Sequence, residues 1–470
     1  MVNKAVKFIE EHKTCYIDVS DKIWQYAEVG LQEHKSSKLL AEVLTKHGFK
    51  VESAVAGMPT AFTATWGNGK PKIGFLAEYD ALPHLSQKAQ TTKQPLINDA
   101  PGHGCGHNLY GAAVLGAVLG LQAEMKADNL KGTIVFYGCP AEETLVGKVF
   151  MAREGLFNDL DLAITWHPSQ MNTTWAGSCN AMNSVKFNFH GKTAHAAGDP
   201  HNGRSALDAV ELMNVGVNYL REHVIPDARI HYVITNGGGE PNVVPDKAQV
   251  WYYVRAPRRD YVDEIFERVV DVAKGAAIMT GTTMDYNILA AAYNYLPNDT
   301  IGDVMLESLK EIGAPKWSET EINFAKELTQ TFEPMKVKSL RVNNLYEKYK
   351  STYLHDEVID PLDKGKCGAG STDVSDVSWI TATGQITTAC LALGTPGHSW
   401  QVVSCSGMSI GHKGLIYAAK AMALTASKLL HDQELVKKAQ AEFKAKTKDN
   451  PYKCPLPANA VPPLDLLPKH

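Results

Sequence analysis

The chain has no CxxC pair, no apolar run of the ~20 residues that a membrane span needs, and no marked excess of either charge. Its eight cysteines (Cys15, Cys105, Cys139, Cys179, Cys367, Cys390, Cys405 and Cys454) are scattered along 470 residues, which excludes the short-chain disulfide framework of a small secreted domain. The opening "MVNKAVKFIEEHKTCYIDVSDKIW" is charged and helical in period and lacks the apolar core of a signal peptide, so a cytoplasmic location is expected. A net charge of -4 leaves no basic footprint for nucleic acid. There is no internal repeat and no low-complexity tract.

What remains is an ordinary globular composition, and at about 100 to 200 residues per domain the length suggests two to four units. Along the first hundred residues the pattern reads helix ("DKIWQYAEVG"), helix ("HKSSKLLAEVLTKHG"), strand ("FKVESAV") and strand ("KIGFLAEYD"). "NLYGAAVLGAVLGLQAEMKA" is apolar nearly all round and should be a buried helix. "GTIVFYG" and "LDLAITW" are continuous apolar runs, as in strands covered on both faces. The segment is therefore α/β, with a mainly parallel sheet flanked by helices.

From about Ser184 the strands alternate instead. "SVKFNFHG", "ARIHYVITN", "AQVWYYVRAP" and "TTMDYNILAA" enclose two helices, "SALDAVELMNVGVNYLREH" and "DYVDEIFERVVDVAKGAAIM". The order βαββαβ is that of a ferredoxin-like unit, here spanning 183–296 and inserted into a discontinuous domain of residues 1–182 and 297–470. A Ser318/Glu321 capping box opens one more helix. The polar stretch that follows, within 333–370, carries no pattern that assigns it. "ITTACLALG" and "HKGLIYAAKAMALTASKLLH" resume the α/β style, and the proline-bearing end reads as an extended tail.

The chemistry gathers at strand ends. "KIGFLA" leads to Glu78 and Asp80, "GTIVFYG" to Glu142 and Glu143, "LDLAITW" to His167, and "ITTACLALG" to His398. In an open α/β sheet these ends form one rim, beyond which ligands bind. "GHGCGHN" joins them: Cys105 and His107, two apart, share one side of an extended segment. The positive end of the following helix would favour the thiolate that binds metal. Thiolate, imidazole and carboxylate suit zinc or a manganese-class ion better than calcium or magnesium.

Five candidate ligands (Cys105, His107, Glu143, His167 and His398) exceed one tetrahedral site, so two ions are the simpler reading. One carboxylate must then stay free to take the proton of the attacking water, and in "PAEE" that base is assigned to Glu142. Singly these residues have bland readings: a turn with incidental imidazoles, a solvated acidic pair, structural histidines. Their shared position outweighs those readings. A Cys105/His107 thiol hydrolase fits less well, because nucleophile and base normally come from separate segments.

"EYDALP", "GHGCGHN", "YGCPAEE", "TWHP", "GKTAHAA", "PNVVPDKAQVWYYVRAP", "STDVSDVSW" and "GTPGHSW" occur in an order that resembles the aminoacylase and carboxypeptidase-like dinuclear metallopeptidases. The resemblance covers almost the whole chain. It implies the same five ligands and Glu142 as general acid and base, with two divalent ions, manganese or zinc. It implies further that Asp80 orients a ligand histidine, that His195 reaches a neighbouring subunit's site to stabilise an oxyanion, and that Asn242 and Arg255 hold the substrate's backbone and carboxylate. The inserted unit would be a lid and dimerisation domain. Asn108 departs from the aspartate that many relatives carry.

The implied activity is hydrolysis of the amide of an N-acyl amino acid, with p-aminobenzoyl-glutamate foremost. The alternatives are a dipeptide or another N-acyl amino acid, or a non-catalytic or partner-dependent subunit. The expected assembly is a homodimer, or a heteromer with a related A-type subunit.

Overall fold

The computed structural model describes residues 3–466. Its main sheet has seven strands in the spatial order Lys50–Ser53, Phe62–Asn68, Gly132–Gly138, Lys72–Ala77, Leu162–Ser169, Thr383–Ala389 and Thr173–Thr174. The four strands from Gly132–Gly138 to Thr383–Ala389 run parallel, and antiparallel strands flank them on both sides. All four parallel strands therefore end on one rim, as the sequence implied.

Packing on both faces explains the continuous apolar runs. On one side, helices Lys4–Glu11, Lys13–Tyr26, His107–Asp128 and Ser409–His431 share a core with Phe75, Phe136, Ile164 and Ile386. His107–Asp128 is buried along nearly its whole length, which is why it needs no polar face. On the other side, Val135, Tyr137 and Ala163 meet helix Gly147–Arg153 and the C-terminal tail at Leu456.

The second sheet has four antiparallel strands in the order Thr283–Ala292, Ala181–His190, Lys247–Ala256 and Arg229–Asn236. Helices Ala206–Leu220 and Arg259–Thr280 cover its inner face through Val210, Met213, Val262 and Val269. Numbered by chain order the strands lie 4-1-3-2, the ferredoxin-like arrangement of a βαββαβ unit.

Several details differ from the sequence reading. Strand Phe62–Asn68 has no counterpart there, because "FTATWGN" ends in turn-forming residues. The strand in "ITTACLALG" stops at Ala389 rather than running to Gly394. The first strand of the inserted unit begins at Ala181, ahead of the expected Ser184. The unassigned polar stretch forms helices Glu333–Val342 and Tyr346–Tyr349, then loop up to the two-residue strand Cys367–Gly368, which pairs with Ser178–Cys179. The tail is irregular as expected through residue 466; residues 467–470 of it lie outside the described part. The capping box of Ser318 and Glu321 is present in full.

Candidate metal centre

The rim brings the predicted donors together from four segments. Directly after strand Lys72–Ala77, Glu78 and Asp80 point to the site while Tyr79 between them enters the core, the alternation of extended chain. Past strand Gly132–Gly138, Glu142 and Glu143 sit on a short 3-10 turn flanked by Ala141 and Leu145. Both flanking residues are left-handed, at φ 55° and 57°. Such backbone persists only where its surroundings impose it, and here buried carboxylates grip the turn. Glu33 accepts from the Ala141 N–H at 2.8 Å and Asp80 from the Glu143 N–H at 3.0 Å.

The glycine-rich stretch is a turn and not the extended segment expected from sequence. Cys105 lies in the turn and His107 is the first residue of the buried helix. They still converge, because Gly106 takes a left-handed φ of 77° against Pro168, where a Cβ would stand 3.0 Å from the ring. Gly102 is constrained by backbone as well, since its Cβ would fall 2.3 Å from the Leu85 carbonyl oxygen.

Cys105 Sγ lies 3.4 Å from His167 Nε2. His107 gives Nδ1 to Asp80 Oδ1 at 2.8 Å, which leaves Nε2 facing Glu78 at 3.3 Å and Glu142 at 3.9 Å. His167 is fixed in the same manner, with Nδ1 2.8 Å from the Pro168 carbonyl. His398 reaches in from an exposed loop, also left-handed at φ 50°, and its Nε2 is 3.3 Å from Glu143 Oε2. Donor atoms of Cys105, His107 and His167 all lie within 4.8 Å of one another, as do those of Cys105, Glu143 and His398, and those of Glu78, His107 and Glu142.

The first two groups share Cys105, and the third shares His107 with the first, so the cluster can hold more than one ion. Its electrostatics call for cations. Glu78, Asp80, Glu142 and Asp373 are all buried, with Glu143 beside them. Burial, then Glu78 and Asp373, pushes Glu142 well above the carboxylate range, and burial lifts Glu143 to about 7. Glu78 Oε2, Glu143 Oε1 and His107 Nε2 are shut from solvent without a hydrogen-bond partner, a state native proteins avoid unless an ion or ligand completes it. The donor set fits a zinc- or manganese-class ion.

One electrostatic expectation is corrected. Burial, with Glu143 next, pushes the Cys105 thiol up rather than down, so the helix end alone does not make a thiolate. A cation at the sulfur is needed to release that proton. His167 behaves as a ligand should: burial lowers it to about 4, leaving a neutral imidazole. Burial works against charge on Asp80 too, yet His107, the Glu143 N–H and Lys148 keep it below its ordinary range.

Sequence reasoning missed the support behind the cluster. Lys148, wholly buried, places Nζ 2.7 Å from Glu78 and 2.6 Å from Asp373, and its backbone N–H donates to Asp373 at 2.8 Å. The one available signal was a lysine inside the apolar run "VGKVFMA".

Among the residues implied for substrate, the structure brings in Arg255 but not His195 or Asn242. Arg255 lines a cavity of about 330 Å³ with Cys105, Glu142, Glu143, His167 and His398, and its Nε has no partner. His195 and Asn242 are exposed neighbours on the inserted unit, joined through the Ala196 N–H and the Asn242 carbonyl at 2.9 Å. His195 Nδ1 accepts from the N–H groups of Ala197 and Gly198 at 3.2 and 3.0 Å. Its Nε2 therefore carries the ring proton and remains a donor.

Strand-end donors on a parallel sheet beneath an inserted βαββαβ unit define a metal-dependent peptidase or amidohydrolase of the M20 class, and the M20 peptidase dimerisation domain matches residues 180–278. Over 467 residues, 97% of each chain, the sequence is 41% identical to the B-type subunit of p-aminobenzoyl-glutamate hydrolase from Escherichia coli, and the chain belongs to that family. It is also 28% identical to the mouse Xaa-Arg dipeptidase, covering 95% of this chain and 93% of the other. The crystal structure of an aminobenzoyl-glutamate utilization protein from Klebsiella pneumoniae has the same fold, at a TM-score of 0.62 and 18% identity over 89% of this chain and 97% of that one.

Proposed function

We propose that this chain hydrolyses the amide of an N-acyl amino acid, with p-aminobenzoyl-glutamate as the leading substrate. The observation that carries the reading is the overlap at Cys105 of two donor groups, one with His107 and His167 and the other with Glu143 and His398, with Glu142 3.9 Å from His107 Nε2 to serve as the base. Cys105, His107, Glu143, His167 and His398 would hold two divalent ions, manganese or zinc. Ions bound there would supply electrophilic activation of the scissile carbonyl and of the attacking water. Glu142 takes the proton from that water and returns it to the leaving nitrogen. Asp80 keeps His107 in the tautomer that presents Nε2, and Arg255 grips the carboxylate of the amino-acid half with its planar fork.

His195 and Asn242 complete the site from a second copy. Support comes from the lid's outer strand, Arg229–Asn236, where Tyr232, Val233 and Ile234 are 38%, 56% and 40% exposed. An apolar edge strand of this kind is a template for another chain. A homodimer through residues 183–296 follows, with 1–182 and 297–470 as the catalytic domain. The Escherichia coli hydrolase has an A-type subunit as well as the B-type, which keeps a heteromer as the alternative assembly. The eight unpaired thiols suit a reducing cytoplasm, and no helix among the described residues is long and apolar enough to cross a membrane.

A dipeptide is the second substrate reading, favoured by the likeness to a dipeptidase. The experiment is hydrolysis of p-aminobenzoyl-glutamate by the purified chain, metal-stripped and then reloaded with manganese or zinc, beside Glu142→Gln. Activity should return with metal and fall about 10²- to 10⁴-fold in the variant, the range for loss of a general base. A reloaded chain that binds two ions but leaves this substrate intact would move the assignment to the dipeptide or to a missing partner.

A further inference from the structure

We infer that Gln385 is a specificity residue, its side-chain amide accepting a hydrogen bond from a donor on the acyl half of the substrate, such as the amino group of an aminobenzoyl ring. The inference rests on the N-acyl amino acid reading above. Gln385 lies in strand Thr383–Ala389 beside Thr165, on the face opposite Ile386, which enters the core. It is 2% exposed, it lines the metal cavity, and its Oε1 has no hydrogen-bond partner.

The neighbours on the same face differ. Thr383 and Thr387 donate their hydroxyls to the carbonyls of Thr381 and Met171 at 2.9 and 3.0 Å. A threonine hydroxyl is satisfied by one such bond, whereas a buried glutamine oxygen left bare costs free energy that a fitting ligand recovers. The amide turns readily about its terminal torsion, so its oxygen can face a bound group.

Placement within the cavity decides which half of the substrate meets it. Arg255 is the only lysine or arginine among the described lining residues, and it belongs to the lid strand, so the carboxylate end is held there. Gln385 belongs to the sheet floor. Next to it stands Trp175, which lines the same cavity and whose backbone N–H donates to the Gln385 carbonyl at 2.9 Å. One flat aromatic wall and one unpaired amide oxygen complement an aryl acyl group that carries a polar substituent.

The test compares kcat/KM for p-aminobenzoyl-glutamate and benzoyl-glutamate, which differ only in the amino group. Both are run on the metal-loaded wild-type chain and on Gln385→Leu and Gln385→Met, made together so that one active variant suffices. Because both substrates meet the same preparation, any inactive fraction cancels from the ratio. Wild type should prefer the amino substrate by at least about 10-fold, since a site built to bond a group rejects the analogue lacking it. The active variants should bring the ratio to within roughly 3-fold of unity, as apolar pockets discriminate weakly. An unchanged ratio overturns the inference and leaves the hydrolase reading intact. Cleavage of neither substrate by wild type overturns the substrate reading and this assignment with it.

Discussion

Around Cys105 and His107 most polar side chains are buried, and the ones behind the donors are held by one another: Asp80 by His107 and the Glu143 N–H, Glu78 by Lys148, Lys148 by Asp373. Around His195 and Asn242 the side chains stand in solvent, and a backbone bond is the tie between them. Under the proposed function the contrast separates two kinds of catalytic equipment. A donor cluster must be shaped before its ions arrive, because misplacing a ligand weakens binding, so its support is internal and rigid. A group that meets the substrate from another protomer needs the opposite: an exposed donor on a short tether, useful once a second surface closes against it.

The largest expected effect breaks the buried side of that comparison. Lys148→Met removes the cation from between Glu78 and Asp373 and leaves two buried carboxylates without their partner. Unfolding stability of the metal-free chain should fall by about 3 to 5 kcal/mol, the usual cost of breaking a buried ion pair from one side. Denaturant midpoints with and without manganese would show it. A loss below about 1 kcal/mol would mean that the cluster does not depend on the Lys148 charge for its shape.

The exposed side is sharpened by His195→Ala. Loss of one oxyanion donor costs about 10²- to 10³-fold in kcat, with little change in metal content. The stronger measurement mixes it with Glu142→Gln. If His195 acts on the neighbouring site, a hybrid dimer holds one centre with both groups intact, and co-expressed chains recover up to about a quarter of wild-type activity by random pairing. Recovery no greater than that of either parent would place His195 in its own chain's site and remove the contrast.

Legibility in the sequence follows the same division. Glu78, Asp80, Glu142, Glu143 and His167 can be found because they sit at or just past the ends of apolar strands, and strand ends on a parallel sheet must converge. The shape of "GHGCGHN" is not legible, because three glycines do not say which one turns left-handed; contact of Gly106 with Pro168 decides it. The Lys148 triad is hidden for another reason. Its partner Asp373 lies 225 residues away, and nothing local in "STDVSDVSW" marks one aspartate for a buried lysine. Gln385 sits within a strand that the sequence places only loosely, where an isolated polar residue reads as a solvated face.

The smallest expected effect concerns the joint between the two regions. Asp376, wholly buried in helix Val374–Ser378, accepts from the Tyr293 N–H at 3.2 Å, where the chain returns from the inserted unit, and from the Tyr452 hydroxyl of the C-terminal tail at 2.9 Å. Burial pushes its carboxyl from 3.8 up to about 7. The folded chain therefore keeps a proton that the unfolded chain has released between about pH 4 and pH 7, so this group's contribution is full below pH 4 and is lost as pH rises through 7. Asp376→Asn keeps an acceptor for Tyr293 and a donor for the tyrosine oxygen but cannot ionise. Between pH 5 and pH 7 the wild-type unfolding free energy should decline more steeply than the variant's by about 1 kcal/mol per pH unit. Parallel slopes in urea titrations would show that Asp376 is ionised in the folded chain, and that the joint between the inserted unit and the main sheet is wetter than its burial implies.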